Sequence, residues 1–308
     1  MKKTRIRYKR LFFFLACFLI VLGLLAYGIL FIIQWILAAP KTESISSQPP
    51  SQYYLFVGTN HEGPPQADSL ILVSVNPQRK KMYAISLPGN TKISRNDEPL
   101  LLLKDAYTDG DAEKTVSAVE NLLHIRIGRY AIFDNATFSA LMDRFGGIDL
   151  YVEKNMSHTD ASGAEDIALR QGFQTLEGND AYGYLRFLDE EGGEISRIQR
   201  EERFIKAFLN QSRNHFRIYT WGLVRYYWNA LDTNISQAEA ADLAYDISGF
   251  PADQLYFTIL PGETRSYEHV KVWEINPVEI QEIVGLTIEQ EQKQGEKNDR
   301  TGKAEYYL

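Results

Sequence analysis

Tyr130-Ala-Ile-Phe-Asp134, followed by a run to Phe145 and closed by Gly146-Gly147-Ile148-Asp149-Leu150-Tyr151-Val152, is the stretch that decides the fold class. Tyr130 to Phe133 is a short apolar run of strand character. From Ala136 to Phe145, the residues Phe138, Leu141, Met142 and Phe145 recur at spacings of three and four, which predicts a helix with one apolar face. Gly146-Gly147 ends that helix, because glycine takes the left-handed cap conformation without a Cβ penalty. Ile148 to Val152 reads as the next strand. A strand, helix and strand in this order predict a sheet covered by helices.

The neighbouring segments extend the pattern. Tyr53 to Gly58, Ser69 to Val75 and Met82 to Leu87 read as strands, the last two joined across Asn76-Pro77-Gln78-Arg79-Lys80. Leu70, Ile71, Leu72 and Val73 form too continuous an apolar run for a half-exposed strand. Ala112 to Leu123 reads as a helix with Val116, Val119, Leu122 and Leu123 on one face. Helices follow at Asn179–Phe187 and Ser196–Gln211, and the aromatic-rich segment Arg213–Leu231 also reads as helical. Ser236 and Glu239 form a capping box at the start of another helix. Gln254 to Leu260 is a strand, and Asn276-Pro277 opens a last helix. The fold class is therefore α/β of the α-β-α sandwich type: a central mixed β-sheet flanked by helices, preceded by one N-terminal transmembrane helix.

That transmembrane expectation comes from the first forty residues. Positions 1–10 hold six basic residues and no acidic one, and Leu11 to Ile33 are 23 residues without a charge. A bilayer core of about 30 Å needs about 20 helical residues, so the run is long enough to span. The basic flank stays in the cytoplasm by the positive-inside rule, which puts the bulk of the chain outside. A cleaved signal peptide is the rival reading, but its apolar region usually runs only about 7–15 residues. The expected organisation is a cytoplasmic tail at 1–10, a signal-anchor span at 11–38 and a linker at 39–52. An extracytoplasmic domain at 53–288 and a disordered polar tail at 289–308 complete it. With six of the 33 basic residues in the tail and all 40 acidic ones beyond it, the remainder has a formal charge of −13. That balance disfavours a phosphate-tracking nucleic-acid surface. The only cysteine, Cys17, lies in the expected span, so the outer domain has no disulfide or thiolate chemistry.

Three stretches could carry chemistry. In the run from Tyr184 to Arg203, a helix end leads through a glycine-containing loop into a helix that starts with arginines. Arg197 and Arg200 are three apart and expected on one face. Arginine suits bidentate phosphate binding, and a helix start adds free N–H groups. Arg186 can approach from across the loop. The alternative is a solvated charged face, with these arginines paired to Glu190, Glu194 or Glu201. In the second stretch, Asp68 stands at the entrance of an apolar strand, where a carboxylate can meet Mg²⁺ beside phosphate oxygens or simply cap a turn. The third is Pro88-Gly89-Asn90, a turn after a strand.

In their order along the chain these stretches resemble the LytR–CpsA–Psr (LCP) family. The resemblance rests on Arg170-Gln171-Gly172 through Leu176-Glu177-Gly178 to Tyr184-Leu185-Arg186-Phe187, on Tyr130 to Asp134 with Gly146-Gly147-Ile148-Asp149, and on Leu260-Pro261-Gly262. It covers about residues 53–284. It implies a membrane-anchored protein of the cell envelope that binds a polyprenyl-pyrophosphate-linked glycan outside the cytoplasm. Family members transfer such a glycan to peptidoglycan or another envelope acceptor with the help of Mg²⁺. Carried over by position, the implied catalytic and substrate-binding residues are Asp68, Arg186, Arg197 and Arg200, with Asp68 as the metal ligand.

The same resemblance marks departures. Asn60 and Asn90 stand where the family pattern has acids. Gln66, Gly89 and Leu188 stand where it has arginines, and Glu201 where it has glutamine. Each lost charge-assisted bond is worth about 1.5–3 kcal/mol, so a weakened Mg²⁺ site and reduced or absent phosphotransferase activity are expected. Two readings stay open: a divergent phosphotransferase, or a binding protein that works beside a paralogous active ligase. Lys92, Arg95, Lys104 and Arg203 are the cations that could compensate.

Overall fold

The computed structural model describes residues 53–287 apart from 61–64, 78, 95–98, 161–162, 190–191, 215–221, 223, 268 and 286. The expected anchor at 11–38, the linker and the polar tail lie outside the described residues. Among the described residues no helix is long and apolar enough to cross a membrane.

The sheet forms around β1 (Tyr53–Asn60), which pairs antiparallel with β2 (Gln66–Asn76) and parallel with β4 (Arg129–Phe133). Strand β3 (Lys81–Ser86) returns antiparallel to β2 across the Asn76–Lys80 turn, as the sequence predicts. With β9 (Asp232–Thr233) and β10 (Leu255–Ile259) the six strands run β10-β3-β2-β1-β4-β9. The sheet is mixed, because β1–β4 and β3–β10 are parallel while the other pairs are antiparallel.

Period-two alternation sends successive side chains to opposite faces. Leu55, Val57, Leu70 and Leu72 face a core shared with α1 (Ala112–Leu123), which contributes Val119 and Leu123. Ile71, Val73 and Val75 face the other side, where Phe250 and the helix α5 (Gln237–Ser248) cover them. Both faces are covered, which accounts for the unbroken apolar run in β2. Helix α1 starts on Asp111, whose carboxylate accepts from the N–H groups of Glu113 and Lys114. Ser236 caps α5 by accepting from the Glu239 N–H at 3.2 Å.

A second core is built on the strand–helix–strand unit. Asp134 caps α2 (Asn135–Phe145) by accepting from the Thr137 N–H at 2.7 Å. The helix ends on Gly146 at φ 92°, and Gly147 follows at φ 76°. A Cβ on Gly147 would stand 2.7 Å from Thr175 Cγ2, so two glycines are needed for β5 (Ile148–Val152) to enter. Strand β5 pairs with β8 (Gly172–Leu176), and β6 (Met156–Thr159) pairs with β7 (Glu165–Leu169). These hairpins close over α2, α3 (Gly178–Arg186) and α4 (Gly193–Asn214).

The sequence reading missed β6, β7, β8 and the hairpin of β11 (Gly262–Tyr267) with β12 (Val270–Ile275). Their burial is too sparse to show as periodicity: β6 buries only Met156, and β7 only Ile167 and Leu169. Within 213–231, where a helix is expected, residues 213–214 close α4 and residues 224–227 are helical, before a 3-10 turn at Trp228–Ala230 and β9. Phe204 and Phe208 pack into the second core.

Candidate functional site

At its opening end β2 carries a bulge. Gly58 pairs with Ser69 and Thr59 with Ala67, so Asp68 is the extra residue between them. Bulges of this kind re-aim a side chain. Asp68 here enters a cleft of about 560 Å³ that also contains Gln66, Gly89, Asn90, Arg186, Leu188 and Arg197. Residues from four separate sequence stretches thus meet on one surface. Lys104, His158 and Lys271 line the same cleft.

Asp68 is held by opposing influences. Burial pushes its carboxyl up from the usual range, and Glu194 adds to that push. Arg197, Arg186 and Lys104 pull it back. Gln66 stands on the same strand and donates from Nε2 to Asp105 Oδ1 at 3.1 Å. Asn60 ends β1, but its side chain lies outside the described residues.

The turn after β3 presents backbone to the cleft. The Gly89 N–H donates to Glu194 Oε1 at 2.9 Å, and the Lys104 N–H donates to the Gly89 carbonyl at 2.8 Å. A Cβ at Gly89 would lie 3.3 Å from Lys104 Cβ and 3.5 Å from the Ala67 carbonyl oxygen. Neighbours would have to give before an arginine could be accepted there. Asn90 donates from Nδ2 to the Lys271 carbonyl at 3.3 Å, while its buried Oδ1 has no hydrogen-bond partner. Asp68 and Asn90 Oδ1 are therefore the oxygen donors on this wall that fit a hard cation. Mg²⁺ commonly takes one or two carboxylates and completes its shell with phosphate and water oxygens. Among the described residues no group of three His, Cys, Asp or Glu side chains could hold a metal ion.

Arg186 ends α3. Its guanidinium pairs with Asp166 on β7 and lies 5.6 Å from the centre of the Tyr182 ring. Leu188, two residues later, is 61% exposed at the cleft edge. The loop into α4 is fixed by Asp189, whose carbonyl accepts from the Gly193 N–H at 2.8 Å and whose side chain pairs with Lys154.

Arg197 and Arg200 do not share a role. Arg197 reaches the cleft, paired with Glu194 and, at 3.2 Å, with Glu201. Burial works against its charge, but Glu201, Glu194 and Asp68 outweigh that effect, so its guanidinium holds its proton more firmly than usual. Arg200 is fully buried and points into the protein. It donates to the Tyr184 carbonyl at 3.2 Å, to the Phe187 carbonyl and to Ser196 Oγ at 3.1 Å. The expectation that both arginines lie on one substrate face fails because α3 ends directly above Arg200. Its last carbonyls have no helical partner and capture the guanidinium. The alternative ion pairs with Glu194 and Glu201 do form around Arg197, in a buried site rather than on a solvated face.

Glu201 is buried at 4% exposure, and burial raises its carboxyl to about 7, reinforced by Glu194 and Asp68. Arg197 and a Ser69 hydroxyl bond act in the opposite direction. Of the cations proposed to compensate for lost arginines, Lys104 is on the cleft wall. Lys92 instead stacks on the Tyr267 ring, and Arg203 pairs with Glu153 at 2.9 Å. Arg95 lies outside the described residues. Lys271 and His158 were not found from sequence, because they reach the cleft on β12 and β6, the hairpins whose patterning is too weak to read.

Comparison with known proteins bears on the fold and the family. The chain is 26% identical over 196 residues to the polyisoprenyl-teichoic acid–peptidoglycan teichoic acid transferase TagV of Bacillus subtilis (strain 168), covering 62% of this chain and 50% of that protein. It is 26% identical over 181 residues to the transferase TagU of Bacillus licheniformis, covering 58% of this chain and 57% of that protein. The chain thus spans little more than half the length of these curated relatives. The crystal structure of B. subtilis TagV superposes with a TM-score of 0.65 at 22% identity, over 77% of this chain and 95% of that one. TagT bound to LI-WTA superposes with a TM-score of 0.63 at 19% identity, over 80% and 93%. The similarity of these solved structures establishes the mixed α/β fold. With a family model matching residues 41–290, the chain belongs to the LytR_cpsA_psr family.

Proposed function

We propose that this chain is a cell-envelope glycopolymer transferase of reduced activity. It holds the pyrophosphate of a polyisoprenyl-linked anionic glycopolymer in the Asp68–Arg186–Arg197 cleft and passes the glycopolymer to peptidoglycan or another envelope acceptor. One observation carries this reading. Arg186, Arg197, Lys104 and Lys271 surround a single cleft at the positions where Asp68 and the Gly89 turn also converge. Four cations suit a pyrophosphate, and oxyanion stabilisation is the principal demand of phosphoryl transfer. The printed names of the relatives supply the substrate class, a polyisoprenyl-linked teichoic acid and peptidoglycan.

Reduced activity follows from the same wall. Gln66, Gly89 and Leu188 bring no charge, and Glu194 occupies both Arg197 and the Gly89 N–H. A phosphate must displace Glu194 to use those donors. Asp68 and Asn90 would hold Mg²⁺, which when bound would neutralise pyrophosphate charge. With one carboxylate in the set, its affinity should be weak. The domain would work on the outer face of the membrane, close to a lipid-borne pyrophosphate, if the 11–38 segment anchors it as the sequence predicts.

A binding-only protein beside an active paralogous ligase is the second reading. The occupation of Arg197 by two carboxylates favours it. Purified full-length protein, a polyisoprenyl-pyrophosphate-linked teichoic acid precursor and peptidoglycan separate the two. Slow transfer that disappears in Arg197→Ala supports the transferase. Saturable binding without transfer supports the second reading, and absence of binding contradicts both.

A further inference from the structure

We propose that His158 is the general base that takes the proton from the acceptor hydroxyl, with Asp166 as its positioning residue; this deepens the transferase reading and rests on it. The family resemblance implies acids at positions 60 and 90, and both are asparagines. An amide cannot accept a proton near neutral pH. Asp68 remains, but the transferase reading gives its carboxylate to the cation beside the pyrophosphate. The cleft therefore needs another proton acceptor, and the β6–β7 hairpin supplies one.

His158 lies on β6 at the cleft wall and is half exposed. Its Nδ1 is 2.6 Å from Asp166 Oδ1 on the paired strand. Asp166 in turn receives the Arg186 guanidinium on its other oxygen, Oδ2. Burial works against the charge of Asp166, but the bonds and charges of His158 and Arg186 together outweigh it and hold the carboxyl below its usual range. An ionised Asp166 accepts a hydrogen bond from Nδ1–H and leaves the lone pair on Nε2. A carboxylate behind one ring nitrogen fixes the tautomer in which the other accepts a proton. Arg186 couples this pair to the phosphate-binding wall. The charged groups next to His158 are Asp166 on β7 and, through it, Arg186 at the end of α3. Lining the same cleft are Lys271, Lys104, Asp68, Glu194 and Arg197.

In the step inferred, Nε2 removes the hydroxyl proton as the acceptor oxygen forms a bond to the glycopolymer-bearing phosphorus. The bridging P–O bond to the polyisoprenyl phosphate breaks. That phosphate leaves with the bond pair, and the proton stays on the imidazole until it passes to solvent or to the departing phosphate. No redox partner is needed.

The test uses the full-length chain in detergent, a polyisoprenyl-pyrophosphate-linked teichoic acid precursor and purified peptidoglycan. General base catalysis contributes about 10²–10⁴-fold. His158→Gln, which can still bond Asp166, should therefore lower kcat by about 100-fold or more while precursor binding is unchanged. Wild-type transfer should show an acid limb in its pH profile, and that limb should vanish in the variant. Imidazole added to His158→Ala should restore part of the rate. Asp166→Asn should shift the limb. Wild-type rate and pH profile in His158→Gln would overturn the assignment. A wild-type chain that binds the precursor without transferring it would overturn it too, leaving the binding cleft intact. A chain that binds no precursor would refute the underlying transferase reading as well.

Discussion

Arg197 and Arg200 sit one helical turn apart on α4, yet they face different worlds. Arg197 meets the cleft through two carboxylates, Glu194 and Glu201. Arg200, fully buried, donates to the carbonyls of Tyr184 and Phe187 and to the Ser196 hydroxyl. The difference shows that one arginine of the pair has been drawn into a helix-end repair, where the ends of α3 and the start of α4 are joined. The neighbour lines the cleft, where the proposed ligand would bind.

The largest effect should come from breaking the interior member. Arg200→Ala takes its donor from one buried and two half-buried acceptors, and each loss at a buried group costs about 1–3 kcal/mol. We expect a lower melting temperature by roughly 10 °C, read by differential scanning calorimetry, at about 2–4 °C per kcal/mol in a domain of this size. An unchanged melting temperature would dissolve the contrast. Arg197→Ala should act differently. It removes one charge-assisted contact of about 1.5–3 kcal/mol from the ligand, which is roughly 10- to 150-fold in affinity for inorganic pyrophosphate by isothermal titration calorimetry. Its effect on stability should be smaller than that of Arg200→Ala. An equal or larger loss of stability than in Arg200→Ala would mean that Arg197 is structural too.

Glu201 sharpens the contrast with a pH dependence. In the unfolded chain its carboxyl ionises at the ordinary value of 4.5, but in the fold it keeps its proton up to about 7. The folded state therefore binds more protons between these values, and this residue makes stability fall as pH rises through that window. Below pH 7 a neutral Glu201 competes less for Arg197, so pyrophosphate should bind more tightly at pH 6 than at pH 8. Glu201→Gln should flatten both trends, and a wild-type pH profile in that variant would show that some other group sets them. The smallest effect belongs to the lysines. Lys104→Ala and Lys271→Ala should each weaken pyrophosphate binding only a few-fold, because a partly solvated flexible cation contributes little. A loss as large as that of Arg197→Ala would move the centre of the site away from α4.

Most of the fold was legible in the sequence where an element buries a continuous face. Ala112–Leu123 carries its apolar stripe, Asp134 and Gly146 mark the ends of α2, and the Leu70–Val73 run reports a strand covered on both sides. The weak hairpins were not legible, since β6 to β8 bury few residues each and their register depends on distant partners. The candidate site followed the same division. Asp68, Arg186 and Arg197 lie at positions carried by the family resemblance, and they do meet in the cleft. Lys271 and His158 stand on the hairpins that local patterning could not show, and the inward turn of Arg200 depends on where α3 ends, which no spacing along α4 can report.

The most direct test of the account is the binding of a polyisoprenyl-pyrophosphate disaccharide to the full-length chain, compared between wild type and Arg197→Ala at pH 6. The account predicts saturable binding to the wild type and a loss of about tenfold or more in the variant, with the fold retained by circular dichroism. Equal affinity of the two proteins for that ligand would contradict the claim that the cleft beside Asp68 and Arg186 is where the pyrophosphate is held.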